Sequence, residues 1–466
     1  MISKSLAIEV LNTLLSTGSD YAEIFYENSS AHSVMIENGK VSTSSTGITS
    51  GAGLRILKNN QTVYGFTSDT SKKGLMKLAN SLNKSFNGEQ IIFVNELKKI
   101  NVKNRNPIKR SYLDVTQEEK ISLIKEGVEA IEELNDPRIV RYIGVFANNF
   151  RSVSVYNSKG KYFSRNTEFA RLVYQVIVMD ENGMETGFEG PGCQDDISYF
   201  HRDVNPKDIA LKAAKTALLM LGAKECPSGK MPVVIGNGWG GVLFHESCGH
   251  PLEASAISRE LSCFSGKDGE MIASPLVSAY DDSTIPNAWG SIDIDDEGNL
   301  GEKRLLIKDG RLVNYMIDDF NGRRMNKEGN GACRRQNYKY CPTSRMSNTY
   351  IANGKSTPEE IIKATKLGLY AVSFAGGSVD PTTGEFNFGC SEAYIIRDGK
   401  IAEPVKGATL IGKGEDILTK IDMVGNDLAL AQGMCGAASG SIRTNVGQPT
   451  LRISEILVGG RGGELK

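Results

Sequence analysis

Histidine is close to absent from this sequence, with 4 residues in 466. Charge of one sign is lacking too: 54 Lys and Arg against 55 Asp and Glu leave a formal net charge of -1. That balance argues against binding DNA through bulk electrostatics, which calls for a basic face. No apolar run reaches the roughly 20 residues needed to span a bilayer. The opening Met1-Ile2-Ser3-Lys4 leads into an amphipathic segment containing Glu9, not the uninterrupted apolar core of a signal peptide. These absences predict a cytoplasmic protein with no nucleic-acid and no membrane partner. The 8 cysteines are widely scattered. In a long cytosolic chain they read as reduced thiols, most of them small buried residues, and not as a disulfide framework.

What is present is a globular composition, 40% hydrophobic and 23% charged, over a length that calls for two or three domains. Helical spacing predicts helices over 4–17, 71–86 and 116–134, the last opened by Asp114 or Thr116, and over 206–221 behind Pro206. Hairpin turns are expected at Asn38-Gly39, Asn59-Asn60, Ser158-Lys159-Gly160 and Glu181-Asn182-Gly183. Cys226-Pro227-Ser228-Gly229 reads as a linker. Beyond it the chain is richer in glycine and strand signals, beginning with Met231–Ile235. Further hairpins are expected at Asp309-Gly310 and Asp398-Gly399, with a helix over 357–368. The expectation is an α+β chain of two domains, 1–225 and 226–466, each with a mixed or antiparallel, partly barrel-like sheet and packed helices.

Two of the four histidines fall in one hexapeptide, His245-Glu246-Ser247-Cys248-Gly249-His250. Two imidazoles can hold a first-row metal while an adjacent carboxylate acts as base for an activated water. In so histidine-poor a chain, a chance match has odds of roughly one in several hundred. The spacing is unusual, because metalloproteases commonly use i and i+4. At i and i+5, five steps of about 100° leave the rings roughly 140° apart on a regular helix. A π-bulge would restore them to one side, with Gly249 supplying backbone freedom and Pro251 disfavouring a regular helix through residue 250. A catalytic site usually has three protein ligands. Cys248, Cys435 and Glu253 are the candidates for the third, and a thiolate would favour zinc. An alternative makes Cys248 a nucleophile paired with His245 or His250, but it leaves Glu246 without a task. His32 and His201 sit alone and read as surface or hydrogen-bonded residues.

Two glycine-rich stretches invite nucleotide readings and lose them. Gly236–Gly241 fits G-x-G-x-x-G between strand and helix, yet no acidic-ended second strand follows about 20 residues on. Its glycines read as allowing close backbone approach, with substrate one possible visitor. Gly407–Gly414 misses the P-loop pattern where Gly414 replaces the magnesium-binding hydroxyl residue.

The stretch Leu243–Glu253 resembles the core of the TldD/PmbA metalloprotease family, in its TldD branch. So do Gly290–Gly298, Ser344–Tyr350, Lys406–Gly412, Met423–Leu428 and Gly447–Leu451; the first half matches more loosely, in its opening helix and the 51–66 hairpin. The resemblance implies a zinc peptidase in which His245, His250 and Cys435 bind the metal and Glu246 is the general base. It implies dimers, homodimeric or with a PmbA-like (TldE) subunit, that cleave unfolded or extended peptides. The first domain would then serve dimerisation and substrate enclosure. The rival class is a non-enzymatic, zinc-bearing regulatory or scaffold subunit.

Overall fold

Alternating apolar and small polar residues, interrupted by asparagine-led turns, fold the first half into one large sheet. A computed structural model describes residues 2–465 apart from Asn182 and Pro381. Its longer first-half strands are β1 (Tyr21–Glu37), β2 (Lys40–Lys58), β3 (Gln61–Thr67), β4 (Ile139–Asn157), β5 (Lys161–Asp180) and β6 (Gly183–Glu189). They run antiparallel in the order β3-β2-β1-β4-β5-β6. Asn38 and Gly39 both have positive φ, 45° and 75°, as a two-residue hairpin of primed type requires. The 181–183 turn includes Asn182, which lies outside the described residues.

Among the described residues, four long helices cover this sheet: α1 (Lys4–Leu15), α2 (Lys72–Leu82), α3 (Gln117–Glu133) and α4 (Pro206–Leu221). Each starts where a side chain caps it, Ser3, Ser71, Thr116 and Asn205 in turn. Thr116, not Asp114, opens α3, in a reciprocal capping box with Glu119. Apolar faces of α1 and α2 pack on Ala22, Ile24, Leu54 and Ile56. Those of α3 and α4 pack on Phe146, Leu172, Tyr174 and Val176.

The second half contains β7 (Gly229–Ile235), β8 (Ala279–Asp282), β9 (Lys303–Lys308), β10 (Asn348–Ile351), β11 (Leu367–Val379), β12 (Glu385–Arg397), β13 (Thr409–Lys413), β14 (Ala429–Ala437), β15 (Gly440–Gln448) and β16 (Leu451–Gly459). Strands β7, β16, β13, β12 and β11 close on one another into a barrel, with β7 and β11 parallel at Val233–Leu369. Closure removes the unpaired edges that an open sheet would expose. Beside the barrel lies a second sheet in the order β9-β8-β10-β15-β14. The α+β class with barrel-like sheet is what the residue patterns predicted.

One expectation needs correction. The helix predicted over 357–368 spans only Pro358–Lys363, capped by Thr357 and Glu360. It stops because Leu367 already belongs to β11, where a side chain on Gly368 would meet the Pro232 carbonyl oxygen at 2.4 Å. The Cys226–Gly229 segment, read as a linker, is tied down at its start. Cys226 is fully buried, and its N–H donates to the Lys406 carbonyl at 2.8 Å.

Candidate metal centre

β7 delivers the chain into a tight turn, Gly238–Gly241, and then a helical run, Val242–Phe244. A side chain on Gly241 would meet the Gly447 backbone nitrogen at 2.3 Å, and one on Gly240 the Gln448 amide at 2.7 Å. These glycines do allow a close backbone approach, and the visitor is β15. Because β7 enters a barrel and not a doubly wound parallel sheet, the dinucleotide context is missing.

His245–Gly249 then forms a π turn, closed by the His250 N–H donating to the His245 carbonyl. The extra residue per turn brings i and i+5 together, so the odd spacing of the two histidines is a consequence of local geometry. Gly249 has a role other than the one expected. Its φ of -57° is ordinary helix, but a side chain there would meet Met346 Sδ at 2.2 Å. Space, not conformational freedom, requires the glycine. On the far side, a side chain on Gly414 would meet the Ser247 carbonyl oxygen at 2.2 Å, so the loop that resembled a P-loop packs against the π turn.

Across from the turn, β14 presents Cys435. Its Sγ lies 3.3 Å from His245 Nε2 and 3.2 Å from His250 Nε2. The two rings are 5.1 Å apart and nearly perpendicular at 83°, and all three donor atoms fall within 4.8 Å of one another. A tetrahedral zinc bonded at the usual N and S lengths would separate such atoms by roughly 3.5 Å, which the two sulfur–nitrogen separations match. Glu246 Oε2 stands 3.8 Å from His250 Nε2, beside the three donors. The site is reachable, since the side chains of His250 and Glu246 are 12% and 20% exposed.

Electrostatics reinforce the arrangement. Burial alone would raise the Cys435 thiol, but His245 and His250 outweigh it and hold it well below the usual thiol range. Burial alone would lower His250, yet Glu253 and the Cys435 sulfur outweigh it and raise it well above the ordinary imidazole value. A thiolate facing two imidazole nitrogens is a cation-seeking geometry.

Comparison with known proteins bears on the same segments. The profile of the PmbA/TldA metallopeptidase C-terminal domain matches residues 228–460, and the profiles of domain 1 and the central domain match 22–85 and 110–221. The chain is 35% identical to a metalloprotease TldD homolog of Haemophilus influenzae over 98% of this chain and 97% of that one. It belongs to the TldD/PmbA metallopeptidase family. A more distant relative, the zinc metalloprotease TldD homolog of Saccharolobus solfataricus, is 23% identical over 95% of this chain and 97% of its own length. In fold, TldE from Thermococcus kodakarensis matches with a TM-score of 0.79 at 17% identity, covering 98% and 99% of the two chains.

Two side chains of this TldD/PmbA chain have roles that the sequence reading missed. Glu253 was a candidate ligand; instead its Oε2 lies 3.3 Å from His250 Nδ1, on the ring atom turned away from Cys435. With a metal on Nε2, a carboxylate there would hold the imidazole proton on Nδ1. Its spacing of three residues after His250 was the available signal. Arg345, fully buried, donates from Nη2 to the Cys435 carbonyl at 2.6 Å and from Nη1 to Gly440 O at 2.8 Å. It pins both arms of the hairpin that carries Cys435, and no local motif announced it. The reading of Cys248 as a thiolate nucleophile is overturned. Cys248 is packed in the apolar core, where burial pushes its thiol well up, and among the described residues it has no imidazole partner. His32 and His201 pair with Thr46 and Glu126, away from the centre.

Proposed function

We propose that this chain is a zinc-dependent peptidase acting on unfolded or extended peptides, with His245, His250 and Cys435 holding the metal and Glu246 as general base. The observation that carries this reading is the convergence of two imidazole nitrogens and one thiol beside a free carboxylate. Zinc bound there would supply a Lewis acid for the scissile carbonyl and acidify a water. Glu246 takes up a proton at Oε2 and can return it to the leaving amine. Glu253 keeps His250 in the ligating tautomer. A substrate strand can add to the outer edge of β14, which terminates its sheet, giving length tolerance through main-chain bonds.

We further assign residues 1–225 to enclosure and dimerisation and 226–466 to the metal site, in a cytoplasmic dimer with a second copy or a TldE-like subunit. The zinc in the name of the Saccharolobus relative and the fold shared with TldE support these choices.

Metal analysis beside peptide cleavage tests the reading. The wild-type chain should carry one zinc and cut unfolded peptides, alone or with a TldE-like subunit. Cys435→Ala should lose the zinc. Glu246→Gln should keep it and lose about 10²- to 10⁴-fold in kcat, the usual worth of a general base. A Glu246→Gln protein that cleaves at full rate sinks the mechanism. Stoichiometric zinc with no cleavage of any peptide makes the chain a regulatory subunit.

A further inference from the structure

A cavity of about 600 Å³ lies where β1, β4 and β5 of the first half face the second half. Its lining holds six arginines and four carboxylates, so cations are in surplus. Three of the arginines are neutralised: Arg151 meets Glu27 at 3.0 Å, Arg165 meets Asp296 at 2.7 Å and Arg335 meets Glu23 at 2.6 Å. The remaining three have no carboxylate partner among the described residues.

Backbone carbonyls and aromatic faces hold these three in place. Arg443 donates from Nη1 to Trp289 O at 2.9 Å, and its guanidinium lies 3.8 Å from the Phe169 ring centre. Arg171 donates to Gly190 O at 2.7 Å and to Gln432 O at 3.1 Å. Arg334 donates to Met346 O at 2.5 Å. Arg334 and Arg443 are both buried. A buried guanidinium without a counter-charge is costly, and it keeps unused donors in a planar fork that matches a carboxylate. Neither of the lining acids that remains is available to fill it. Glu168 accepts from Tyr112 N at 2.7 Å and Asp293 from Arg105 N at 3.1 Å.

The cavity is joined to the metal centre through one hairpin. Arg443 on β15 is the register partner of Met434 on β14, and the next rung is Ile442 with Cys435. Met434, Ile442 and Arg443 all line the cavity. Adjacent rungs are about 3.3 Å apart and their side chains point to opposite faces, so Arg443 and Cys435 sit on opposite sides of one hairpin, and a peptide would join them around the outer edge of β14, which ends its sheet.

We infer that this cavity is a carboxylate subsite, taking either the C-terminal carboxylate of a peptide or one of its Asp or Glu side chains. The inference rests on the peptidase reading for the identity of the ligand, and its test reads binding as well as cleavage. Four fluorescent versions of one unfolded peptide are compared on the full chain carrying Glu246→Gln, with and without zinc. They have a free or amidated C-terminus, each with an internal Glu or Gln. Binding by anisotropy should weaken about tenfold when the recognised carboxylate is lost, the scale of one charged hydrogen-bonded pair. Amidation having the effect identifies the C-terminus; Glu to Gln identifies the side chain.

Arg443→Gln and Arg171→Gln should each abolish the discrimination between a carboxylate-bearing peptide and its neutral counterpart. Arg171→Lys, which keeps the charge, should retain part of it. Equal binding of all four peptides overturns the subsite, as does discrimination that persists in both glutamine variants at unchanged Tm. If those variants do not fold, the four-peptide comparison on the parent chain decides alone. Failure to bind any peptide at millimolar concentration also overturns it. Carboxylate-selective binding without cleavage by the wild-type chain would leave the subsite standing and remove the peptidase reading; cleavage indifferent to the carboxylate would do the reverse.

Discussion

Two clusters of buried charge-bearing side chains tie distant parts of this chain together, and they follow opposite rules. In the first, Glu23 and Arg55 face each other across β1 and β2. Arg55 lies 2.6 Å from Glu23 and 2.5 Å from Glu297, and Arg335 lies 2.6 Å from Glu23. Positive and negative groups alternate, so this cluster joins the two halves while neutralising itself. In the second, the side-chain atoms of His245, His250 and Cys435 that could hold a metal converge within 4.8 Å, and among the described residues no Lys or Arg is ion-paired into the triad. Burial is common to both. What separates architecture from a binding site here is whether the cluster completes itself or needs a cation from outside.

The sharpest way to break that comparison is to remove one charge from the first cluster. Arg55→Met leaves Glu23 and Glu297 buried with one cation fewer, and should cost about 3–5 kcal/mol, read by denaturant unfolding. Zinc content per folded chain should not change; if it falls in proportion, the clusters are one unit. Glu253→Gln probes the second cluster from behind His250. It should weaken zinc binding by about 10- to 100-fold, the usual effect of losing such a support, with little change in Tm of the metal-free protein. An unchanged zinc affinity would show that Glu253 does not orient the ring.

The smallest effect is in pH. Burial alone would raise Glu23, but Arg55 and Arg335 outweigh it and hold its carboxyl below the usual range. A carboxyl depressed in the folded state contributes stability that is fully present above its unfolded value of about 4 and is lost as pH falls through the folded one. The stability gap between wild type and Glu23→Gln should therefore be widest above about pH 5 and should close in acid, by about 1 kcal/mol for each unit of depression. A gap constant from pH 6 down to 2 would show that the ion pairs contribute nothing.

Local chemistry was legible in the residues, and long-range chemistry was not. Asn38-Gly39, Asp309-Gly310 and Asp398-Gly399 name their turns because both residues accept positive φ and hairpin geometry demands it. The i to i+5 spacing of the histidines foretold the π turn, since only an extra residue per turn reconciles it with one shared face. The pairing that closes the barrel could not be read, because it sets Val233 parallel to Leu369 across a long stretch of other structure. Arg345 escaped for a similar reason: its contact with Cys435 spans 90 residues. Gly249 was noticed for the wrong property, as the Met346 side chain that forbids a larger residue comes from a distant segment.

The Cys435 hairpin turns through only Ala438 and Ser439, with Ala437 opposite Gly440. Neighbouring residues on a strand point to opposite faces, so gaining or losing one residue in β14 would exchange Cys435 for Met434 or Gly436. Arg345 and the Gly241–Gly447 contact hold the other arm fixed, which leaves no slack to absorb the change. The candidate metal centre is therefore guarded by chain length as well as by side-chain identity. Along this hairpin a single-codon insertion should do more harm than most substitutions.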